Sequence, residues 1–259
     1  MNRSNLLRNV CCALAAVPAA ASLAGNASAA EEAAPHWTYG GENGPGKWGE
    51  LSPDFKTCSI GLQQSPIDLK TPVIARIGAL GTSYRPAPLS IVNNGHTIQV
   101  NYAPGSTLAM TGRSYQLVQF HFHTPSEHLV GGKPHPMELH LVHADANKSL
   151  AVIGVFIDEG AAHVELKKVW AAIPAAEGPA KTIAGVQVDA SRLLPVPRGS
   201  YYEYLGSLTT PPCSEDVRWI VLPQPITASA AQIAQFRKLF PLNARPVNKL
   251  NQRLLLEQI

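Results

Sequence analysis

Apolar and polar residues alternate through much of the middle of this 259-residue chain. Such alternation is typical of β-strands with one buried face, because successive side chains of a strand point to opposite sides. It predicts strands over residues 89–93, 97–102, 115–123, 137–144, 150–157 and 216–222. Asn94-Gly95, between the first two segments, is a strong signal for a tight turn.

Helical spacing is limited to two segments. Residues 161–172 repeat apolar side chains at helical intervals, and a second helix is expected from a Thr227 cap to Phe240, with Ile233 and Phe236 on its apolar face. The 22 prolines interrupt the chain too often for a helical bundle. The pattern therefore predicts a mainly β protein with peripheral helices, built on a large, mostly antiparallel sheet.

The first 29 residues have the pattern of a secretory signal peptide. Arg3 and Arg8 precede an apolar stretch, and Ala27-Ser28-Ala29 resembles a cleavage site. A membrane-spanning helix is the weaker interpretation, because the apolar stretch is too short. We therefore expect a signal peptide at 1–29, one domain at 30–259, and a periplasmic or secreted protein without a stable membrane span.

Charge and cysteines narrow the class of protein. Charged residues make up only 15% of the chain and the formal net charge is +3, with no cluster of Lys or Arg. A nucleic-acid partner is therefore not expected. Of the four cysteines, Cys58 and Cys213 lie beyond the signal peptide, and an even pair in an oxidising compartment predicts a disulfide. Two separate buried thiols are the alternative.

Histidines carry the strongest chemical signal, since six of the nine lie between positions 121 and 143. In a strand, His121 and His123 share one face with Gln119, and His140 shares a face with Glu138. Side by side in one sheet, these two strands would offer three imidazoles to one ion. Three neutral imidazoles with an open fourth position are typical of a catalytic zinc site.

The other histidines of this region are expected to be structural. His143 has the opposite strand parity to His140, so it faces the other side of the sheet. His128 follows the break that Thr124-Pro125 makes in the strand, and His135 lies between two prolines. A single histidine in a strand is more often a hydrogen-bonded structural residue than a metal ligand.

Short motifs make the chain similar to the α-class carbonic anhydrases over residues 36–256. Their joint order and spacing are far more specific than any one of them. They are His36-Trp-x-Tyr-Gly, Gln64-Ser-Pro-Ile-Asp68, Asn94-Gly-His96, Gln119-Phe-His-Phe-His123, Ser126-Glu-His128, Glu138-Leu-His-Leu-Val-His143, Leu208-Thr-Thr-Pro-Pro-Cys213, Val217-x-Trp-Ile-Val221 and Asn243-x-Arg-Pro246. The resemblance implies a twisted sheet of roughly ten strands, with a zinc site at the base of a central cavity.

The activity that this resemblance implies is the reversible hydration of carbon dioxide to bicarbonate and a proton. Zinc held by His121, His123 and His140 lowers the pKa of its water to about 7, and the resulting hydroxide attacks carbon dioxide. Thr209 is expected to accept a hydrogen bond from that hydroxide and to donate its own proton to Glu127. The resemblance leaves open a monomer or a homodimer.

By the same resemblance, each zinc ligand has a fixed partner. The Gln119 side chain is expected to hold His121, the Asn243 carbonyl His123, and the Glu138 carboxylate His140. Carbon dioxide carries no charge, so it needs a largely apolar site. The resemblance assigns that site to Val142, Val152, Leu208, Thr209, Thr210, Val217 and Trp219.

Export of the proton requires a group with a pKa near neutrality, and His96 matches the family's proton shuttle. Tyr39, Asn94 and Gln99 match positions that line the shuttle's water network. The family often has Asn where this chain has Gln99. A second departure is Thr124-Pro125, where many animal members have Trp-Gly, and it leaves every expected ligand in place.

Two other classes of protein remain as alternatives. A cupin-type metalloenzyme would use Glu127 as a direct ligand beside His121, His123 and His140. The cupin pattern requires a glycine at the position of Tyr115. It also leaves the 208–213 motif unexplained. A catalytically inactive binding module of the carbonic anhydrase type is the second alternative, but such modules usually lack one or more of the zinc histidines.

Overall fold

The structure, a computed structural model, describes residues 35–197 and 199–259. The predicted signal peptide lies outside the described residues. Fifteen strands lie within the described part of the chain. In order they are β1 (Asp68–Leu69), β2 (Val73–Ala75), β3 (Gly81–Ser83), β4 (Ala87–Asn93), β5 (Ile98–Asn101), β6 (Thr107–Met110), β7 (Arg113–His123), β8 (Leu129–Val130), β9 (Lys133–Pro134), β10 (Met137–Ala144), β11 (Leu150–Glu159), β12 (Lys181–Val188), β13 (Tyr201–Gly206), β14 (Val217–Ala228) and β15 (Leu256–Gln258).

One large sheet organises the fold. Ten of its strands follow the order β12-β4-β5-β7-β10-β11-β14-β13-β15-β2, and β6 pairs with both β3 and β7. Only the β11–β14 and β15–β2 pairs of this sheet are parallel. Strands β1, β8 and β9 form a separate small sheet. The predicted mainly β architecture with a large, mostly antiparallel sheet is therefore confirmed.

The central strands separate an apolar core from a polar site. Phe120 and Phe122 on β7 point into the main hydrophobic core together with Leu139 and Leu141 on β10. Because side chains alternate along a strand, the residues between them face the opposite side. This alternation gives the three predicted ligand histidines one common face, and the packed phenylalanines fix the register that holds them there.

Helices lie at the periphery, as the proline content predicts. They are α1 (Trp48–Leu51), α2 (Thr57–Ile60), α3 (Val164–Ala171) and α4 (Ala230–Leu239), with short 3-10 turns at Gly41–Asn43, Pro53–Phe55 and Ala190–Leu193. The predicted helix over 161–172 corresponds to α3. The last predicted helix starts later than expected.

The predicted Thr227 cap is wrong. Pairing of β14 with β11 continues through Thr227, which lies opposite Asp158, so the strand ends only at Ala228. Ser229 caps α4 instead, with its hydroxyl accepting a hydrogen bond from the Gln232 N–H while the Gln232 side chain binds back to the Ser229 N–H. This capping box satisfies two backbone donors at once and fixes the start of the helix.

An N-terminal arm packs beside the sheet and is tied to it covalently. Trp48 is fully buried and clusters with Phe55, Cys58 and Cys213. The predicted disulfide between Cys58 and Cys213 is present, and it links positions 155 residues apart. The bridge therefore joins the arm to the loop that follows β13, the loop that carries Thr209.

Candidate metal centre

Strand pairing between β7 and β10 brings the three predicted ligand histidines together. His140 pairs directly with His121, and Glu138 pairs with His123. One nitrogen from each of the three imidazoles lies within 4.8 Å of the others. His123 and His140 are each only 1% exposed, whereas His121 lines a cavity that opens from this point.

Each imidazole is held through one nitrogen, which leaves the other free. His121 Nδ1 donates to Gln119 Oε1 at 2.8 Å, and His123 Nδ1 donates to the Asn243 carbonyl at 2.7 Å. His140 Nε2 donates to Glu138 Oε1 at 3.0 Å. Because each partner only accepts, the ring proton must lie on the bonded nitrogen, and the lone pair of the other nitrogen is available to a metal.

The residues present fit a zinc ion. Nε2 of His123 is buried and has no hydrogen-bond partner among the described residues. Such an unpaired buried polar atom is costly unless something binds it. Three imidazole nitrogens that converge on one point, each oriented by a further hydrogen bond, are the donor set that catalytic zinc sites use.

Burial and neighbouring charges keep these rings in the form that binds metal. Burial, together with the proximity of His123 and His140, holds the pKa of His121 well below its usual value. Burial also lowers the pKa of His123, although the nearby Glu127 acts in the opposite direction. Both rings are therefore neutral at neutral pH, which is the protonation state that metal binding requires.

Glu138 organises the rear of the site. Burial by itself would raise the pKa of Glu138, but electrostatic attraction to His128 and His140 and the hydrogen bonds from these two rings outweigh it and hold the pKa well below the usual value. Its second oxygen accepts the backbone N–H groups of Glu127 and His128 at 2.9 and 2.8 Å. One carboxylate thus fixes a predicted ligand and the chain segment that carries Glu127.

A buried network behind Glu138 went beyond the sequence prediction. His128 donates through Nδ1 to Glu138 at 2.7 Å, and its Nε2 lies 2.7 Å from the Tyr204 hydroxyl. That hydroxyl is 2.9 Å from Oγ of Ser65. His128 is predicted to be structural, and in the structure it positions Glu138, which in turn positions His140. No local motif indicates this, because Tyr204 and Ser65 come from distant parts of the chain.

The expected hydrogen bond from Thr209 to Glu127 is not formed in the structure. Both residues are buried, and Glu127 Oε1 accepts the Arg245 N–H at 2.8 Å. Glu127 Oε2 has no hydrogen-bond partner among the described residues. It lies 3.5 Å from Nε2 of His123 and 3.8 Å from Nδ1 of His140. This oxygen therefore lies beside the two ring nitrogens whose lone pairs are available to a metal.

The residues expected to form an apolar site gather in one cluster. Val142 pairs with Val152 across β10 and β11, and Val152 pairs with Trp219 across β11 and β14. Val217 and Leu208 belong to the same cluster. The Trp219 ring packs at 4.8 Å from that of His140, so this apolar cluster adjoins the buried histidine.

A cavity of about 120 Å³ leads from the histidines to the surface. All four residues of the expected proton path line it, as does Thr210, and the apolar cluster does not. The lining residues are Trp37, Tyr39, Asn94, His96, Thr97, Gln99, Gln119, His121, His123 and Thr210.

At the rim of the cavity, His96 is held differently from the buried histidines. Its ring stacks on Trp37 at a centroid distance of 3.6 Å with the planes 9° apart. Its backbone N–H is bonded to the Asn94 side chain at 3.0 Å. Burial and then the neighbouring His36 lower the pKa of His96, while Glu177 acts to raise it.

Comparison with known proteins agrees with this geometry. A family model described as eukaryotic-type carbonic anhydrase matches residues 43–258. A carbonic anhydrase of Nostoc sp. is 49% identical over 229 residues, which is 86% of this chain and 86% of that protein. A carbonic anhydrase of Pectobacterium carotovorum is 44% identical over 222 residues, 85% of this chain and 90% of that protein. The solved α-carbonic anhydrase of Thermovibrio ammonificans, in complex with the inhibitor sulfanilamide, has a TM-score of 0.83 at 44% identity and covers 86% of this chain and 99% of its own.

Fold, site and relatives define a class of lyase that acts on carbon dioxide. The chain belongs to the eukaryotic-type, or α, carbonic anhydrase family, and its activity is the reversible hydration of carbon dioxide. The expected family is confirmed, and the cupin interpretation is wrong. Within the described residues, no helix has the length and apolar character needed to cross a membrane. The disulfide is consistent with a protein outside the cytoplasm.

Proposed function

We propose that His121, His123 and His140 hold a zinc ion and that carbon dioxide is hydrated at this site. The observation that supports the proposal most strongly is the orphaned nitrogen of His123, buried beside two further imidazoles whose outer nitrogens are engaged by Gln119 and Glu138. When bound, zinc would lower the pKa of a coordinated water to about 7 and so supply a nucleophile at neutral pH.

In this proposal the chain's own residues orient the reacting groups. Gln119, Asn243 and Glu138 fix the ring planes and tautomers of the three ligands. The Thr209 hydroxyl would accept a hydrogen bond from the attacking oxygen and would donate its own hydrogen in a hydrogen bond to Glu127. The Thr209–Glu127 bond is not formed in the structure, but Arg245 N–H holds only one oxygen of Glu127, so the other has no partner among the described residues and is open to the Thr209 hydroxyl.

Substrate would bind beside the apolar cluster. Carbon dioxide has no net dipole, so a surface without hydrogen-bond donors costs it little desolvation and keeps competing water away. We assign this surface to the apolar cluster described above, in which Trp219 packs against the His140 ring. Val142, Val152, Leu208 and Val217 complete the cluster. Thr209 and Thr210 supply the polar edge at which bicarbonate would leave.

His96 would carry the proton from the site to buffer. Its place on the cavity wall, between the histidines and the surface, supports this role, and an imidazole titrates close to neutrality. Tyr39, Asn94 and Gln99 line the same cavity and would order the water between the site and His96. Burial and the charge of Glu127 raise the pKa of Tyr39 well above its usual value, so its hydroxyl stays protonated and donates steadily.

We further propose that residues 1–29 direct export and are removed, that 30–259 form the functional domain, and that the mature enzyme is periplasmic or secreted. The cysteine pairing supports an oxidising compartment. Either a monomer or a homodimer agrees with the described residues.

Stopped-flow carbon dioxide hydration tests the proposed function. The purified mature chain should contain one zinc per molecule, and dialysis against a strong chelator should abolish catalysis. Added zinc should restore both. A chain that binds no zinc and shows no hydration would instead be an inactive binding module. Undiminished catalysis after complete zinc removal would contradict the assignment of the three ligands.

A further inference from the structure

A carboxylate stands over the turn that carries His96. A Cβ atom on Gly95 would lie 2.8 Å from Oε2 of Glu177 and 3.0 Å from its carboxyl carbon. Gly95 has φ +82°, a conformation that glycine adopts without steric cost. The absence of a side chain at Gly95 therefore has two consequences. It permits the backbone conformation of the turn, and it leaves room for the Glu177 carboxylate to lie close to the backbone of Gly95, the residue before His96.

The loop that carries Glu177 is fastened to this turn. The Gly178 N–H donates to the Asn93 carbonyl at 3.1 Å. The Asn93 side chain in turn donates to the Pro174 carbonyl at 3.2 Å. The two bonds flank Glu177 along the chain, so its position beside His96 is set by the fold.

The charge of Glu177 is not neutralised nearby. Among the described residues, the Glu177 carboxylate makes no hydrogen bond and no ion pair, and it is exposed to solvent. The titratable groups that face His96 are Glu177 on the loop and His36 on the N-terminal arm, whose ring lies 6.2 Å from the His96 ring. Trp37, between arm and turn, is uncharged.

We propose that Glu177 is a positioning residue for proton export, which stabilises the protonated His96 formed between uptake of a proton from the site and its release to buffer. The inference rests on the proposed shuttle role of His96. Burial and His36 both disfavour a charged ring, and Glu177 is the group that opposes them. Without it the shuttle would take up the proton less readily.

Titration of the imidazole by NMR tests this directly on the zinc-loaded mature chain. The His96 Cε1–H signal is assigned by comparison with His96→Ala. In Glu177→Gln we expect the proton-binding constant of His96 to fall about two- to fivefold, the range for an exposed charge pair. Glu177→Asp should retain most of the wild-type value. In about 1 M salt the difference should vanish, because the Debye length is then about 3 Å. Glu159→Gln, which removes an exposed charge at the end of β11, is the matched control and should leave the signal unchanged.

Kinetics provide the second readout. Glu177→Gln should lower kcat in weak buffer about twofold or more while kcat/KM stays constant, and excess imidazole buffer should remove the deficit. An unchanged His96 titration in Glu177→Gln overturns the inference, as does an equal shift in Glu159→Gln. If His96→Ala itself leaves kcat in weak buffer unaltered, the shuttle assignment has failed. If His96→Ala slows turnover but Glu177→Gln does not shift the titration, only the role of Glu177 has failed.

Discussion

The base of the cavity and its rim hold histidines in opposite ways. At the base, each ring is at least partly buried and donates one hydrogen bond to a fixed acceptor, as His123 does to the Asn243 carbonyl. At the rim, the ring of His96 is fixed by stacking on Trp37 and makes no side-chain hydrogen bond among the described residues. The same residue type is thus locked in one tautomer at one end of a short cavity and left free to exchange protons at the other.

The difference follows from what each position must do. A metal ligand must stay neutral and keep its lone pair on one nitrogen, so burial and a hydrogen-bonded partner both help. A proton carrier must bind and release a proton within each cycle, so a strong acceptor on its ring would hold the proton too long. Stacking on an aromatic face fixes the plane of the ring without engaging its nitrogens.

Removing a ligand at the base should have the largest effect. In His140→Ala, two imidazoles remain and Glu138 loses a partner, so tight zinc binding and hydration should be lost together. Metal analysis and stopped-flow hydration on the same preparation provide the measurement. His143→Ala, on the opposite face of β10, is the control for damage to the strand. Stoichiometric zinc with near-normal activity in His140→Ala would refute the ligand assignment.

Breaking the link between the arm and the site loop should have the next largest effect. The Cys58–Cys213 bridge closes 155 residues, for which chain entropy gives roughly 5 kcal/mol, and real bridges often contribute less. Because neither cysteine lies on β7 or β10, the Cys58→Ala/Cys213→Ala variant should melt several degrees lower yet still bind zinc. Calorimetry and metal analysis check both parts. An unchanged melting temperature would show that the bridge does not anchor the loop.

A smaller disturbance at the base tests how strictly Glu138 must be placed. Gly154 pairs with His140 across β10 and β11, and a Cβ there would lie 2.9 Å from Glu138 Oε1. Gly154→Ala should therefore push the carboxylate off His140 and weaken zinc binding by about 10- to 100-fold, as losses of such partners do. Competition with a chromophoric chelator measures this. Gly46→Ala, where a Cβ meets open space, should bind zinc like the parent; equal affinities in both variants would mean that Glu138 can shift without consequence.

How much the sequence predicts depends on how local the cause is. Strand β10 and the shared face of His121 and His123 can be predicted from the sequence alone. The two-residue alternation of apolar and polar side chains identifies a strand and also tells which of its side chains lie on the same face. The late start of α4 was missed because pairing of Thr227 with Asp158 comes from another strand. The hydrogen bond between His128 and Tyr204 and the approach of Glu177 to Gly95 were missed for the same reason. Each contact joins segments that are far apart in the sequence, and no sequence pattern links them. The hydrogen-bond partners of the three histidines, which are Gln119, Asn243 and Glu138, were predicted from the family resemblance. The pattern of apolar and polar residues alone could not have assigned them.

The smallest effect should come from the rim, and it should be selective. His96→Ala leaves the base intact, so kcat/KM, which reports the hydration step, should hardly change. Turnover in weak buffer should fall roughly tenfold, less than the hundredfold that a positioned acid–base group usually contributes, because water and buffer can also carry the proton. Stopped-flow measurements over a range of imidazole concentrations check this, with recovery expected as the buffer takes over. His135→Ala, which removes another partly exposed histidine that pairs with Asp158 at the surface, is the control and should show neither the loss nor the rescue. If His96→Ala lowers kcat/KM as strongly as kcat, the rim and base are not separable, and His96 acts on the hydration step itself.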